Sequence, residues 1–213
     1  MSPPGTRTYV SPLREAGAAA TRRQILAAAA EVFEQRGWSG TTLSRVAVHA
    51  GVSIKTIQAQ FGTKASLLTS TVDFAVRGEP GPESSARRGV VQAIRAAASA
   101  PEALALHARM TTEVNARAAG LAAVVEAGVA GEVSLVPLWE RMLENMQFGV
   151  RWAAETVRAK PGLRRDLTAG AVETVFQIAM AWSTYRTLAS TREMSREEIE
   201  AWIWELYQRM LLS

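Results

Sequence analysis

Residues 41–64 read TTLSRVAVHAGVSIKTIQAQFGTK, a pattern that predicts two short helices joined by a tight turn. Helices that cross at a steep angle need a small residue where their backbones approach, and Ala47 meets that need. Gly51 suits the turn because a glycine adopts positive φ without the steric cost of a β-carbon. Val52 and Ile57 are placed to fill the angle between the helices. The stretch therefore predicts a helix-turn-helix.

Polar residues mark where these helices begin. Thr42 and Ser53 each precede an apolar periodic run, and their hydroxyls can accept hydrogen bonds from free N–H groups of the first turn. Lys64 opens a further helix, beside an N-terminus whose dipole favours anions such as phosphate. Both helices of the predicted helix-turn-helix thus have local start signals.

The second helix sorts its residues onto two faces. On a wheel that starts at Ile54, the residues Ile54, Ile57 and Phe61 fall on the core side. The outward side chains are Lys55, Thr56, Ala59 and Gln60, with Gln58 at the flank. A cation, two hydrogen-bonding groups and a methyl group, with no acid among them, suit the base edges of a DNA major groove. An ordinary helical hairpin inside an α-domain is the alternative interpretation.

These motifs resemble the DNA-binding domain of the TetR family of transcriptional regulators. The resemblance runs over residues 21–77 and comprises TRRQILAAAAEVFEQRG, W-x-x-T-T-hydrophobic, VAVHAGVS, IKTIQAQF, GTK and ASLL, in the family's order and spacing. Gln58 stands where the family usually has an aromatic residue, and its amide can still donate to a phosphate. Farther on, LRRDLTAGAVETVFQIAMAWSTYRTLA and MSREEIEAWIWELYQRMLL are similar in layout to the last two helices of many members.

The resemblance implies an all-α protein, with an amino-terminal three-helix helix-turn-helix domain followed by a larger helical ligand-binding and dimerisation domain. It also implies a ligand-responsive repressor. We expect base contacts from Lys55, Thr56, Ala59 and Gln60. The other expected DNA-binding positions are Thr42, Arg45, Ser53, Gln58 and Lys64. The alternative is a helical interaction protein that keeps the helix-turn-helix shape without specific DNA binding.

Charge is distributed unevenly along the 213 residues. Residues 1–77 carry nine Lys or Arg and four acids, a balance of +5, whereas the remainder of the chain has a balance of −1. A basic region favours a polyanionic partner because neutralised phosphates release their counterions. The asymmetry therefore agrees with double-stranded DNA as the partner of the amino-terminal third.

Composition argues against several other classes. The chain has no cysteine, which excludes a disulfide framework and a thiolate metal site. Its longest stretch without a charged residue is the twelve residues 174–185, whereas a membrane span needs roughly 20 residues. We also see no secretion signal, and we expect a cytoplasmic protein.

An enzyme is a competing class. The only two histidines, His49 and His107, lie 58 residues apart and in different predicted modules. No Ser-His-acid arrangement, nucleotide-binding glycine loop or H-E-x-x-H spacing accompanies them. We therefore predict no catalytic residue, no metal and no cofactor.

Pro and Gly residues divide the chain into segments. Residues 1–18 predict a flexible arm, whose Arg7 and Arg14 either reach a minor groove or belong to a plain tail. The DNA-binding domain is predicted at 19–77, and the break at 78–82 precedes a ligand-binding and dimerisation domain at 83–213. Helices are expected near 83–99, 101–118, 121–130, 135–159, 166–190 and 195–212. Pro101 and Pro137 suit first-turn positions, and Ser195 with Glu198 forms a capping box.

The last two predicted helices carry more apolar surface than one domain buries. In the final helix, Trp204, Tyr207 and Leu211 form a stripe beside another that includes Ile199 and Ile203. We predict a homodimer that reads a palindromic operator, with a monomer as the alternative. The predicted interface residues are Trp182, Tyr185, Trp204, Tyr207 and Leu211.

The middle of the chain carries the candidate effector site. Adaptable pockets combine methionine and aromatic walls with a few polar groups, and His107 with Thr111 interrupts an otherwise apolar stripe. The predicted ligand-binding residues are His107, Met110, Thr111, Trp139, Met142, Met146, Phe176 and Met180, for an unidentified, mainly apolar small molecule. Ordinary core packing is the alternative for each of them. Gly149 either allows another backbone to approach or leaves space beside its helix. The polar stripe Glu173, Gln177 and Thr184 faces the pocket, the dimer interface or solvent, and the sequence does not decide among these.

Overall fold

The computed structural model describes residues 12–78 and 82–213, and every named element within these ranges is helical. The all-α fold class is confirmed. The α-helices are α1 Pro12–Gly40, α2 Leu43–His49, α3 Ile54–Phe61, α4 Lys64–Arg77, α5 Pro82–Ala96, α6 Ala100–Val129, α7 Val136–Arg158, α8 Ala169–Met180, α9 Trp182–Arg186 and α10 Arg196–Leu211. A 3₁₀ turn, Val133–Leu135, precedes α7, and a π turn, Thr187–Thr191, follows α9.

Helix α1 begins earlier than the sequence pattern predicts. Its first residue is Pro12, so residues 12–18 of the predicted arm are helical, and residues 1–11 lie outside the described ranges. Gly37 has a φ of 65° and interrupts the regular helix. Because positive φ suits a glycine, the chain turns here and passes into the segment before α2.

Helix α6 is the long central element of the fold. Its 30 residues correspond to about 45 Å of helix. One core cluster surrounds its second half and combines residues of α1–α4 with Leu135, Leu138 and Met142. A second core cluster surrounds its first half and combines residues of α5, α7, α8 and α10. The helix-turn-helix region therefore shares its core with α6 and α7, and the division into two domains stays a sequence-based prediction.

The structure corrects the prediction of two helices at 101–118 and 121–130, because α6 runs through both. Gly120 lies inside the helix, where a β-carbon would come within 2.5 Å of the Glu34 carboxylate. At Gly128 a β-carbon would lie 2.7 Å from Leu135 Cδ1 and 3.2 Å from Trp38 Cβ. These glycines permit close approach by α1 and the turn before α7, rather than ending a helix.

The helix predicted at 166–190 is also different in the structure. It breaks at Ala181, whose backbone is extended at φ −61° and ψ 130°. The side-chain amide of Asn115 donates to the Met180 carbonyl at 3.2 Å. That hydrogen bond satisfies a backbone acceptor at the break, since an unpaired buried carbonyl is costly.

Other predicted boundaries are confirmed. Pro101 and Pro137 lie in the first turns of α6 and α7. Ser195 accepts from the Glu198 amide, and the Glu198 carboxylate accepts from the Ser195 amide, which completes the capping box. Within the described ranges, no helix is long and apolar enough to cross a membrane.

Candidate DNA-binding surface and ligand cavity

The turn between α2 and α3 has the geometry that its sequence predicts. Gly51 adopts a φ of 63°, and the Val52 amide donates to the Ala47 carbonyl at 3.0 Å. The side-chain amide of Gln24 donates to the Ala50 carbonyl at 2.7 Å and ties the turn to α1. Because Ile57 is fully buried beneath them, the two helices are held at a fixed angle.

Each of α2, α3 and α4 begins with a hydroxyl cap. Thr42 accepts from the Arg45 amide at 3.2 Å, Ser53 from the Thr56 amide at 3.1 Å, and Thr63 from the Ser66 amide at 3.1 Å. The caps predicted at Thr42 and Ser53 are confirmed. Each cap satisfies one free amide of the first turn and leaves other amides of that turn available to an anion.

Helix α3 presents most of its predicted outward face to solvent. Lys55, Gln58 and Ala59 are exposed, whereas Thr56 and Gln60 are half-buried. The Thr56 hydroxyl also forms a 2.8 Å hydrogen bond with the Ser53 hydroxyl, so part of its capacity is used within the cap. The exposed face therefore consists of one cation, an amide and a methyl group, flanked by two more polar side chains.

The prediction that Ile54 faces the core is wrong. Its side chain is 39% exposed, whereas Ile57 and Phe61 are buried as predicted. Ile54 is the first residue of α3, and only the residues one and two turns later reach the core. An exposed apolar side chain thus lies at the start of the helix that carries Lys55.

Lys64, predicted to hold a phosphate, is engaged inside the protein. Its Nζ donates to the Trp38 carbonyl at 2.9 Å and lies 3.9 Å from the centre of the indole ring. Burial lowers the pKa of Lys64, against the opposing effect of the Glu132 charge. The lysine therefore joins the start of α4 to the carboxy-terminal end of α1. Arg45 is exposed and donates to the Gly40 carbonyl.

A cavity of about 340 Å³ lies among α4, α5, α6, α7 and the α8–α9 break, a size typical of small-molecule sites. Six predicted ligand-binding residues line it: His107, Met110, Thr111, Met142, Met146 and Met180. Gly149 allows this packing, because a β-carbon there would lie 2.9 Å from the Met180 methyl group. Trp152, Trp182 and Asn115, which the sequence reasoning did not assign to a site of this kind, also contribute to the wall.

Two predicted ligand-binding residues do not line the cavity. Phe176 is fully buried and packs edge-on against the His107 ring, with the ring centres 4.8 Å apart. Trp139 packs against Trp182 at 6.0 Å between ring centres, in the shell behind the wall. Both residues share a helix face with residues that do line the cavity. Helical periodicity alone does not distinguish the residues that line a cavity from those that pack behind them.

His107 is the most unusual polar group in this cavity. It is fully buried, and its Nδ1 lies 2.9 Å from the Tyr207 hydroxyl and 3.3 Å from the Thr111 hydroxyl. Its Nε2 has no hydrogen-bond partner. Burial lowers the pKa of His107 to about 3 and raises that of Tyr207. Both side chains are therefore neutral at physiological pH.

Charged residues surround the mouth of the cavity, and the sequence reasoning did not single them out. Asp73 and Arg77 come from α4, Arg95 from α5 and Arg141 from α7. Arg141 donates to Asp73 at 3.2 Å, and Arg77 lies 4.0 Å from the same carboxylate. The i, i+4 spacing of Asp73 and Arg77 was a visible signal, but Arg141 is 68 residues farther along the chain.

The structure corrects part of the predicted dimer interface. Tyr207 and Leu211 are fully buried within the protomer, and Trp182 lines the cavity. Tyr185 and Trp204 are half-buried. Of the apolar side chains on α8 and α10, Ile178 is 46% exposed and Met210 is 48% exposed. The buried stripe of α10 is Ile199, Ile203, Tyr207 and Leu211, which leaves Trp202, Leu206 and Met210 on the neighbouring face.

The polar stripe of α8 and α9 comprises Glu173, Gln177 and Thr184, and two hydrogen bonds show where Gln177 lies. The Gln177 side chain accepts from the Gln147 amide at 3.1 Å and donates to the Met146 sulfur at 3.4 Å. Gln177 therefore links α8 to α7 beside the cavity wall. Glu173 and Thr184 are half-buried and do not line the cavity.

Comparison with known proteins gives a family match for the first part of the chain. Residues 25–71 match the model of the bacterial regulatory proteins of the tetR family. No curated protein sequence matches the chain. The matched residues cover the second half of α1, the helix-turn-helix and the first half of α4.

Solved structures share the fold over nearly the whole chain. A transcriptional regulator of the TetR family from Agrobacterium tumefaciens is 14% identical, with a TM-score of 0.66 over 91% of this chain and 99% of that one. NalD, the secondary repressor of the MexAB-OprM multidrug efflux pump in Pseudomonas aeruginosa, is 18% identical, with a TM-score of 0.63 over 91% and 98%. FadR from Bacillus subtilis, in complex with stearoyl-CoA, is 19% identical, with a TM-score of 0.63 over 86% and 96%.

Proposed function

We propose that this protein is a cytoplasmic repressor of the TetR type, released from its operator by a small, mainly apolar ligand. Residues 25–71 match the model of the bacterial regulatory proteins of the tetR family, whose members are DNA-binding transcriptional regulators. The observation that carries the proposal is the α3 surface. Lys55, Gln58 and Ala59 are exposed on a capped helix whose inner face is anchored by Ile57. A rigid helix with a cationic, acid-free outer face suits a major groove.

The candidate DNA-contacting residues of α2 and α3, with their N-caps, divide into two roles. Lys55, Thr56, Ala59 and Gln60 face base edges, where the Ala59 methyl group suits the methyl group of a thymine. Thr42, Arg45, Ser53 and Gln58 contact the sugar-phosphate backbone, together with the free amides of the α2 and α3 first turns. Lys64 is not included among these backbone contacts, because its ammonium group donates to the Trp38 carbonyl.

The first test is a selection of bound fragments from sheared source genomic DNA by the purified protein at two salt concentrations. We expect a palindromic site that is retained at the higher salt. Lys55→Ala should weaken binding to that site by about 1–3 kcal/mol if the lysine reads a guanine. Arg151→Ala removes a cation from the exposed surface of α7 and should leave binding unchanged. Recovery of random, salt-labile fragments would favour the helical interaction protein instead.

The proposed repressor acts as a homodimer through α8 and α10. Ile178 and Met210 expose about half of their apolar side chains, beside the half-buried Trp202, Trp204 and Leu206. A two-fold axis through this surface brings the same patch of both protomers together and presents two copies of α3 to successive major grooves. The operator is accordingly palindromic.

Release by the ligand operates through α4. This helix follows α3 directly and contributes Val72, Asp73, Val76 and Arg77 to the cavity wall. A ligand that contacts these residues differently in two positions of α4 shifts the equilibrium between those positions, by no more than its differential affinity for them. A cavity-filling compound that leaves operator affinity unchanged would refute this mechanism.

A further inference from the structure

We propose that the cavity binds an amphiphilic anion. The apolar body of this ligand lies among the methionines and tryptophans, and a neutral oxygen in that body accepts a hydrogen bond from His107 Nε2–H. The anionic group of the ligand lies at the mouth of the cavity, beside Arg95. The inference rests on the proposed function, since it names the class of ligand that the repressor senses. Three parts of one cavity support it: the wall, the buried imidazole and the charged mouth.

The wall sets the shape of the ligand body. The apolar groups that line the cavity include four methionines and two tryptophans: Met110, Met142, Met146, Met180, Trp152 and Trp182. Methionine side chains are unbranched and polarizable, so they adapt to an irregular or flexible apolar body. The wall therefore fits an alkyl or aryl chain better than a compact polar molecule.

The hydrogen bonds of His107 determine which ring nitrogen carries the proton. Among the described residues, the hydrogen-bond partner of the Tyr207 hydroxyl is His107 Nδ1. If that hydroxyl is to donate its hydrogen, Nδ1 must accept, and a neutral imidazole then carries its proton on Nε2. Nε2 is buried and has no partner, and His107 lines the cavity, so the Nε2–H is the donor that this side chain leaves for a ligand.

A neutral oxygen is the acceptor that suits this donor. His107 is uncharged, and the aromatic ring of Phe176 lies against its imidazole. A carboxylate or phosphate placed here would lose its hydration without a compensating positive charge, which is costly. A carbonyl, ether or hydroxyl oxygen satisfies the N–H at a much smaller desolvation cost, so the charged group of the ligand belongs elsewhere.

The mouth supplies the positive charge. Among the residues whose side chains the structure describes, three arginines and one aspartate line the cavity, a net charge of +2. Asp73 is engaged by Arg141 and lies near Arg77, whereas Arg95 has no carboxylate partner within the described part of the chain. The Arg95 guanidinium lies 5.8 Å from the centre of the Trp152 ring, so it is positioned at the edge of the apolar wall. An anionic group at this point completes the charge pairing of the mouth.

The charge of the ligand is tested with three probes that share a ten-carbon chain: decanoate, decan-1-ol and decylamine. Binding to the full-length protein is followed by tryptophan fluorescence, because Trp152 and Trp182 line the cavity, and is confirmed by calorimetry. We expect decanoate to bind at least about tenfold more tightly than decylamine. Equal affinities, tighter binding of the amine, or no binding of any probe would overturn the proposal.

Arg95→Gln identifies the anion site. We expect this variant to bind decanoate about three- to tenfold more weakly and decan-1-ol with unchanged affinity. Arg151→Gln is the matched control, since Arg151 is exposed on α7 and does not line the cavity. A loss of decanoate affinity that is the same in both variants would place the anion elsewhere.

The buried donor is tested with 5-, 7- and 9-oxodecanoate, which place a ketone oxygen at different depths. We expect at least one of them to bind about fivefold or more tightly than decanoate, and His107→Leu to abolish that preference. If no ketone improves binding, the role of Nε2–H is wrong. In case the leucine variant fails to fold, ¹⁵N NMR of the histidine-labelled wild-type protein reads the tautomer directly, and an Nδ1–H tautomer would contradict the proposal.

These measurements contain no DNA and are therefore independent of the proposed repressor activity. If the probes bind as expected but the selection from genomic DNA yields no site, the ligand class stands and the repressor function fails. If a palindromic site is found but decanoate has no advantage, the repressor function stands and the ligand class is wrong.

Discussion

The hydroxyl of Tyr207 lies 2.9 Å from Nδ1 of His107, and this hydrogen bond joins α10 to α6 across 100 residues of sequence. Both rings are fully buried, and the Phe176 ring contacts both, with ring centres 4.8 and 5.2 Å away. The contact therefore connects the last helix of the chain with the wall of the cavity. It also removes Tyr207 from the surface where a partner protomer would bind.

The buried imidazole predicts a pH dependence of stability. His107 is neutral in the folded protein because burial lowers its pKa from 6.5 to about 3. Between these values the unfolded state binds one more proton, so the free energy of unfolding falls as the pH falls, by at most about 1.4 kcal/mol per pH unit. Urea unfolding of wild type and His107→Gln at pH 7, 6 and 5 measures the effect. The variant should show a smaller decrease, and identical decreases would contradict the assignment.

His49→Gln is the control for this experiment. His49 is largely exposed, and its Nε2 lies 2.6 Å from a Glu31 oxygen on the surface. Because the replaced side chain is not buried, this variant should keep the pH dependence that His107 causes. Acidic residues that contact neither histidine contribute equally to all three proteins and cancel in the comparison, whereas Glu31 loses its His49 partner in the control.

Replacement of Ile178 should dissociate the proposed homodimer. Ile178 is 46% exposed on α8, and a buried, unpaired carboxylate in a symmetric interface would occur twice per dimer. We expect Ile178→Glu to sediment as a monomer at concentrations where the wild type is dimeric. Tyr207→Phe should lower the free energy of unfolding by about 1 kcal/mol and remain dimeric, because its hydroxyl bonds within the protomer. A monomeric Tyr207→Phe would restore that residue to the interface.

Lys64 should contribute to stability more than to DNA affinity. Lys64→Met keeps most of the aliphatic volume but loses the hydrogen bond to the Trp38 carbonyl and the contact with its ring. We expect a loss of about 1–2 kcal/mol of unfolding free energy and an unchanged dependence of DNA binding on salt. Lys55→Met should do the reverse: it should weaken binding to the preferred operator by about 1–3 kcal/mol and leave the free energy of unfolding nearly unchanged. Chemical unfolding and DNA titration at several salt concentrations separate the two effects.

Two helical glycines should respond differently to the same substitution. At Gly149 an added methyl group meets the flexible end of Met180, which can shift into the cavity. Gly149→Ala should therefore weaken decanoate binding several-fold with little change in stability. At Gly128 the methyl group meets Leu135 and the Trp38 β-carbon, which cannot move freely. Gly128→Ala should cost about 1–2 kcal/mol of stability; equal stability losses in the two variants would contradict this reading.

Asp73 should compete with an anionic ligand for the arginines of the mouth. It lies 3.2 Å from Arg141 and 4.0 Å from Arg77, with the carboxylate about one-third exposed. Asp73→Asn releases both guanidinium groups, and we expect decanoate to bind about threefold more tightly. Calorimetric titration at low and moderate salt measures the change, which should shrink as salt rises. Unchanged affinity at low salt would show that the ligand anion does not reach Arg141.

Local signals predicted the helix-turn-helix well. The caps at Thr42 and Ser53 and the positive φ of Gly51 depend on residues within a few positions of each other, so they can be read from the chain directly. Ile54 was misplaced because its position on the wheel ignores that it opens the helix. The capping box at Ser195 and Glu198 was predicted for the same local reason.

The sequence signals for the cavity were weaker, because helical periodicity identifies the residues that share a face but not the helix that packs against that face. Six of the eight predicted ligand-binding residues line the cavity, whereas Trp139 and Phe176 pack behind its wall. The break at Ala181 was missed because Asn115, 65 residues from Met180, supplies the hydrogen bond there. The arginine mouth was missed because its members come from three helices.

The sequence by itself determined the all-α class, the helix-turn-helix with its caps and turn, and the positive balance of the amino-terminal third. Those properties follow from backbone preferences and hydrogen bonds among near neighbours. Only the tertiary structure decided that Lys64 donates to the Trp38 carbonyl, that Tyr207 forms a hydrogen bond with His107, and that Arg95 lies at the mouth of an apolar cavity. Each of these depends on which helix faces which, and that is set by packing between residues far apart in the chain.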